Sequence, residues 1–79
     1  MSSRICYYAN ESFYDHAKGD YVVAVVTEDE AGYNTLSTVY GSAERAKAAA
    51  DALNQDLGLS RDDVLDIVAS SMRAGRAQR

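Results

Sequence analysis

Between Leu53 and Val64 the chain spells out the end of one helix and the start of the next, and this corner limits its folds more than any other stretch. Gly58 can take the left-handed backbone that closes a helix, Leu59 supplies the apolar residue that follows such a closure, and Ser60 can cap the next helix. Asp63 falls at the third helical position, where its carboxylate can accept from the amide of the capping serine while Leu59 packs on Val64. Two helices joined by a short, well-specified turn therefore occupy the second half of the chain.

Upstream of that corner, Ser42 caps a helix over residues 43–57, with Ala43, Ala46, Ala50, Leu53 and Leu57 forming one narrow apolar seam. The second helix spans 61–74, with Val64, Leu65, Ile67, Val68 and Met72 on its buried side. Asp62, Asp63 and Asp66 near its start and Arg73 and Arg76 near its end complement the helix dipole. Residues 75–79 are expected as a frayed basic tail. The first half reads as strands: 4–9, or 4–14 if the strand continues through Phe13 and Tyr14, then 21–28 and 33–40. For residues 10–20 an extended hairpin turning at Lys18 and Gly19 is preferred to an ordered loop or a helical turn. The run from Tyr21 to Glu28 is apolar on both faces and belongs at the centre. Asp29 to Gly32 is a break of hairpin length. The expected fold is α+β in one domain over residues 1–79, a three-stranded antiparallel sheet in βββαα order with both helices on one face.

Little in the chain is placed for catalysis. Cys6 and His16 would form a nucleophile pair only if the hairpin brought them together, and a cysteine between Ile5 and Tyr7 behaves more often as a small buried hydrophobe. His16 has Glu11, Asp15 and Asp20 near it in sequence but no second imidazole or nearby thiolate, so no metal site is expected. The serines lack a nucleophile-elbow setting, and the five glycines are scattered as turn and cap residues, with no phosphate-cradling loop. A non-enzymatic protein without a cofactor is the expectation. The lone cysteine excludes an internal disulfide. No apolar run suits a signal peptide, and none approaches the roughly 18 residues of a membrane span. A cytoplasmic setting without membrane contact is expected.

Partner chemistry is more legible. Six tyrosines and one phenylalanine all lie in the first forty residues, more than a small sheet needs for its core. With helices on one face, some of these rings would meet solvent or a partner, and tyrosine suits interfaces because it joins apolar area to a polar tip. The net charge of -4 hides an asymmetry, since Arg73, Arg76 and Arg79 cluster at the end of an otherwise acidic chain. An acidic body does not favour the phosphate backbone of nucleic acid. The leading candidate surface is acidic and tyrosine-bearing, around Asp29, Glu30 and Tyr33, with Tyr7, Arg73 and Arg76 as further contact residues for a protein partner. Two alternatives are a nucleic-acid-associated module using the C-terminal arginines and a homo-oligomeric structural protein. A thin core makes a homodimer a fair expectation, through a sheet edge or an open tyrosine face.

The stretch from Gly32 to Met72, with its tyrosine strand, the GSAERAKAAADALNQDLGLS helix and turn, and the closing DDVLDIVASSM helix, resembles small accessory proteins encoded by bacteriophages and other mobile elements. That resemblance covers about half of the chain. It implies a setting inside a host cell and a partner that is host-encoded, bound so as to block or redirect it; some inhibitors of CRISPR defence have this size and strand-helix build. It transfers no functional residue.

Overall fold

The structure is a computed structural model that describes residues 3–77. Four strands, β1 (Ile5–Tyr8), β2 (Tyr14–Asp15), β3 (Asp20–Thr27) and β4 (Asn34–Tyr40), precede two helices, α1 (Ala43–Asp56) and α2 (Arg61–Ala77). The class is α+β, the sheet is antiparallel and both helices are C-terminal.

The count of four strands in place of three comes from a break in the first. Tyr21 pairs with both Tyr14 and Tyr40, and Val25 with both Tyr7 and Asn34, so β4 has one side of β3 to itself while β1 and β2 share the other. At the break, the Asn10 side chain accepts from the Ser12 amide at 2.8 Å, and its carbonyl accepts from the Phe13 amide at 3.2 Å. This asparagine turn lifts the chain out of the ladder. Phe13 brings it back, its carbonyl accepting from the Val22 amide at 3.0 Å. The hairpin expected for residues 10–20 therefore forms, but only its last two strand residues pair.

Successive side chains on a strand point to opposite faces, so Val23 points one way and Ala24 and Val26 the other. All three are buried, along with Val22. Val23 packs with Ala46 and Ala50 of α1 and with Tyr7, Tyr21, Leu36 and Tyr40. Ala24 and Val26 pack with Cys6 and with Ile67 of α2, flanked by Tyr8, Phe13, Val64 and Val68. The sheet thus lies between its helices, which corrects the expectation that both roof one face. The reason is β3 itself: a strand apolar on both faces needs cover on both. Four tyrosines (Tyr7, Tyr8, Tyr21 and Tyr40) are consequently half-buried, and Tyr14 and Tyr33 are the exposed ones.

The chain changes faces around the free edge of β1. The Glu28 amide donates to the Arg4 carbonyl, so Arg4, Cys6 and Tyr8 bond inward to β3, and Tyr7 turns its amide and carbonyl outward. Asn54 of α1 meets both: its Oδ1 accepts from the Tyr7 amide and its Nδ2 donates to the Tyr7 carbonyl, each at 2.8 Å. One buried side-chain amide does the work of a neighbouring strand. The buried seam of α1 runs Ala43, Ala46, Ala50 and Asn54, so Asn54 takes the place expected of Leu53, which is half-buried, and Leu57 is left half exposed to solvent.

Just beyond, α1 closes as its sequence suggests. Gly58 sits at φ 75°, and the amides of Gly58 and Leu59 donate to the carbonyls of Gln55 and Asn54 at 2.9 and 3.0 Å. Ser60 and Asp63 then bond reciprocally, the Ser60 amide to Asp63 Oδ2 at 2.9 Å and the Asp63 amide to Ser60 Oγ at 3.1 Å. Arg4 fastens the start of α2 to the sheet, pairing with Glu28 at 2.6 Å and with Asp63 at 3.5 Å. α2 itself runs on to Ala77, so the tail expected to fray is helical through that residue; Arg79 lies outside the described residues. Leu65 and Met72, expected in the core, are exposed, and Ser70 and Ser71 are buried in their place.

Two outcomes follow for stability. Replacing Asn54 by alanine strands the Tyr7 amide and carbonyl, and urea denaturation should show a loss of about 1–3 kcal/mol; Asn54→Asp, which sets an anion against the Tyr7 carbonyl, should be worse at neutral pH than in mild acid. The Arg4 hydrogen bond holds Glu28 below its ordinary 4.5, and the Ser60 amide holds Asp63 below its ordinary 3.8. Their contribution is therefore complete above those ordinary values and disappears as the pH falls through the lower folded ones. Urea midpoints measured from neutral to strongly acidic pH should fall less steeply for Glu28→Gln with Asp63→Asn than for the parent chain.

Candidate functional site

The hairpin joining β3 to β4 gathers three of the residues singled out from sequence, and α2 holds it in place. Asp29 has φ 63°, a left-handed backbone that L side chains rarely adopt. Ser70 of α2 compensates locally: its Oγ accepts from the Asp29 amide at 3.0 Å and donates to the Asp29 carboxylate. The next serine, Ser71, donates to the Glu30 carbonyl at 2.6 Å. One helical turn later Gly75 comes close to Ala31, with space for a Cβ only at ordinary contact distance, 3.7 Å, from the alanine methyl. Two buried serine hydroxyls and one glycine thus dock the hairpin tip onto the C-terminal half of the helix.

Tyr33 follows directly and is 57% exposed. Its ring meets the Phe13 ring nearly at right angles, centroids 4.9 Å apart, and Phe13 meets Tyr8 the same way at 5.9 Å. Phe13 and Tyr8 belong to the cluster under α2, so Tyr33 is the outer ring of a file that begins in the core. Thr35 and Val39 stand opposite Ala24 and Val22, hence on this same face. Within the sheet α2 packs chiefly on β1 and β3, and Thr35 and Val39 stay exposed beside it.

Arg73 and Arg76 are also exposed, on the helical stretch that holds the hairpin. Asp29, Glu30 and Tyr33 therefore share one hairpin, whereas Arg73 and Arg76, at about 100° per helical residue, lie on the side of α2 turned away from the Ser70, Ser71 and Gly75 that hold it. Tyr7 does not belong to that hairpin. Its backbone is taken by Asn54, and its half-buried side chain packs against α1. It lines a separate open groove of about 590 Å³ where α1, β1 and the start of α2 meet, with Asn54, Leu59, Arg61 and Leu65 among the walls. Ser70, Ser71 and Asn54 are the residues that sequence reading passed over as contributors. The available signal was polarity inside a buried arc: a hydroxyl or amide on the packed side of a helix must find a partner.

Cys6 and His16 do not meet as a pair. Cys6 is sealed beneath Ile67, and burial pushes its thiol up to about 11, which keeps it neutral and unreactive. His16 lies in the turn after β2, its ring edge-on to Tyr14 at 5.0 Å. Among the described residues no cluster of three or more His, Cys, Asp or Glu side chains could hold a metal ion, and no helix is long and apolar enough to cross a membrane. The hairpin region offers an ordered aromatic ring with carboxylates beside it. No protein-family model, no curated protein and no solved structure matches this chain.

Burial of Cys6 is open to a chemical check. A thiol-specific reagent at mildly alkaline pH should label the folded chain at least tenfold more slowly than the urea-unfolded one, followed by absorbance of the released thiolate. Equal rates would mean that the thiol is accessible.

Proposed function

We propose that the protein is a non-enzymatic binding protein that engages another protein through the hairpin corner, with Tyr33 as the anchor and Asp29 and Glu30 beside it. The observation that supports this most directly is the combination at Tyr33 of high exposure with fixed surroundings. A large aromatic side chain left in water is ordinarily free to move. Here Phe13 backs the ring and Ser70 and Ser71 hold the loop before it, so little conformational freedom remains to be lost on binding. Rigid exposed tyrosines of this kind are frequent centres of binding energy.

The partner this surface suits is a protein with a cleft for an aromatic ring, bordered by basic groups. The resemblance to phage-encoded accessory proteins suggests a host-encoded partner that is inhibited or modulated inside the cell. Because charges at the edge of an interface act mainly on encounter, association should slow as salt is added.

Affinity capture from lysate of the cells that carry the gene, comparing the parent chain with Tyr33→Ala, tests this reading. Tyr33 is exposed, so the substitution should leave the thermal midpoint nearly unchanged. The retained partner should bind at least tenfold more weakly to the variant, the usual effect of truncating an aromatic anchor. A partner held equally by both chains would refute the assignment of the corner.

A further inference from the structure

The two edges of the sheet are built differently. On β1 the outward backbone groups of Tyr7 are occupied by Asn54, and Arg4 carries ion pairs just beyond. An added strand would have to displace a buried side chain there. On β4, among the described residues, no side chain occupies the outward groups of Thr35 or Val39, and Lys18 Nζ meets only the Ser37 carbonyl between them, at 3.3 Å. Ala24 and Val26 bond toward β1, so the residues of β3 that bond toward β4 are Tyr21 and Val25, opposite Tyr40 and Asn34. Thr35 and Val39 therefore direct their amides and carbonyls away from the sheet, and both side chains are exposed. In a chain with 25% charged residues, the eight from Tyr33 to Tyr40 include no charge and no proline. Charges and prolines are the usual means of closing an edge strand.

We infer that two copies of this chain associate by pairing β4 with β4, antiparallel, about a two-fold axis normal to the sheet. Such an axis keeps each face continuous, so outward-bonding residues meet one another: Thr35 of one copy faces Val39 of the second, and Ser37 lies at the axis. The Ser37 carbonyl accepts from Lys18 Nζ at 3.3 Å, and the register against β3 shifts between Val22 and Ala24. The middle of the pair is thus irregular, and the Thr35 to Val39 exchanges at its two ends carry the hydrogen bonds. Charge favours a second copy as the occupant. A chain of net charge -4 tends to repel its own copy, whereas the side chains of this strand carry no charge, the one like-charge approach being the two Lys18 ammonium groups beside Ser37, and β-branched residues match across the seam. One strand pair buries less than the roughly 1,600 Å² of a standard interface, so the dimer is reversible and depends on concentration. The hairpin corners fall at opposite ends of the joined strands, and this pairing stands independently of what Tyr33 binds.

Mixed cross-linking tests the register. Facing Cα atoms in a hydrogen-bonded antiparallel pair lie about 5.5 Å apart, within reach of a disulfide. Thr35→Cys and Val39→Cys chains, one of them tagged, should on mild oxidation form the mixed disulfide at least tenfold more than either forms a disulfide with itself; the native Cys6 is sealed and does not compete. A mixture with no excess of the mixed species overturns the register. Thr35→Pro removes an outward amide without touching the bonds to β3. Light scattering should show the parent mass rising from 8.6 kDa toward twice that value with concentration, while the proline variant stays monomeric. A parent chain that remains monomeric at millimolar concentration, or a proline variant that still dimerises, overturns the pairing itself. Tyr33→Ala should leave both readouts unchanged.

Discussion

The contact between Asn54 and the backbone of Tyr7 is what allows a sheet this narrow to be covered on both sides. β3 is apolar on both faces, so one helix has to lie on each, and the chain must pass around an edge of the sheet between them. An edge strand at that crossing presents amide and carbonyl groups that water can no longer reach freely. Asn54 supplies the matching donor and acceptor from one side chain at 2.8 Å each, so α1 can press against the edge without leaving a buried polar group unmet. Gly58 then turns the backbone and Ser60 restarts a helix on the other face. Without the amide the edge would need another strand, and α1 would have to stand off from it.

Placement of the helices also decides which surfaces are left open. α1 covers the face of Val23 and α2 the face of Ala24 and Val26, but α2 lies chiefly over β1 and β3. The uncovered ground is consequently a strip of β4 beside the hairpin that α2 grips through Ser70 and Ser71. Cover on two faces replaces the picture of a bare tyrosine sheet with something narrower. Four tyrosines serve the core in part, and Tyr33 stands out at a corner where helix, hairpin and edge strand meet.

The amount legible in the sequence follows the range of the physics involved. The turn from Leu53 to Val64 was readable almost atom by atom, because a left-handed glycine and a reciprocal serine and aspartate cap are local chemistry. The strand order and the central place of β3 were also readable, from a run apolar on both faces. That same run implied cover on both faces, and the single-sided roof conflicted with it. Contacts across long sequence separations were hidden. Asn54 reaches back 47 residues to Tyr7, and Ser70 and Ser71 reach 41 back to Asp29 and Glu30. Each resembles a neutral polar filler until its partner is known. Gathering Asp29, Glu30 and Tyr33 was foreseeable because they are neighbours in one hairpin, whereas separating Tyr7 from them required the register of β1.

Amide hydrogen exchange at single-residue resolution addresses the central claim most directly. Ile5 and Tyr7 both point their amides outward from β1, but only Tyr7 meets Asn54. The Tyr7 amide should exchange slowly, with the amides of the buried β3 residues, while that of Ile5 exchanges near the rate of a solvent-exposed edge. Equal, rapid exchange at both positions would show that the edge is open and that the crossing between the two faces is held by something other than Asn54.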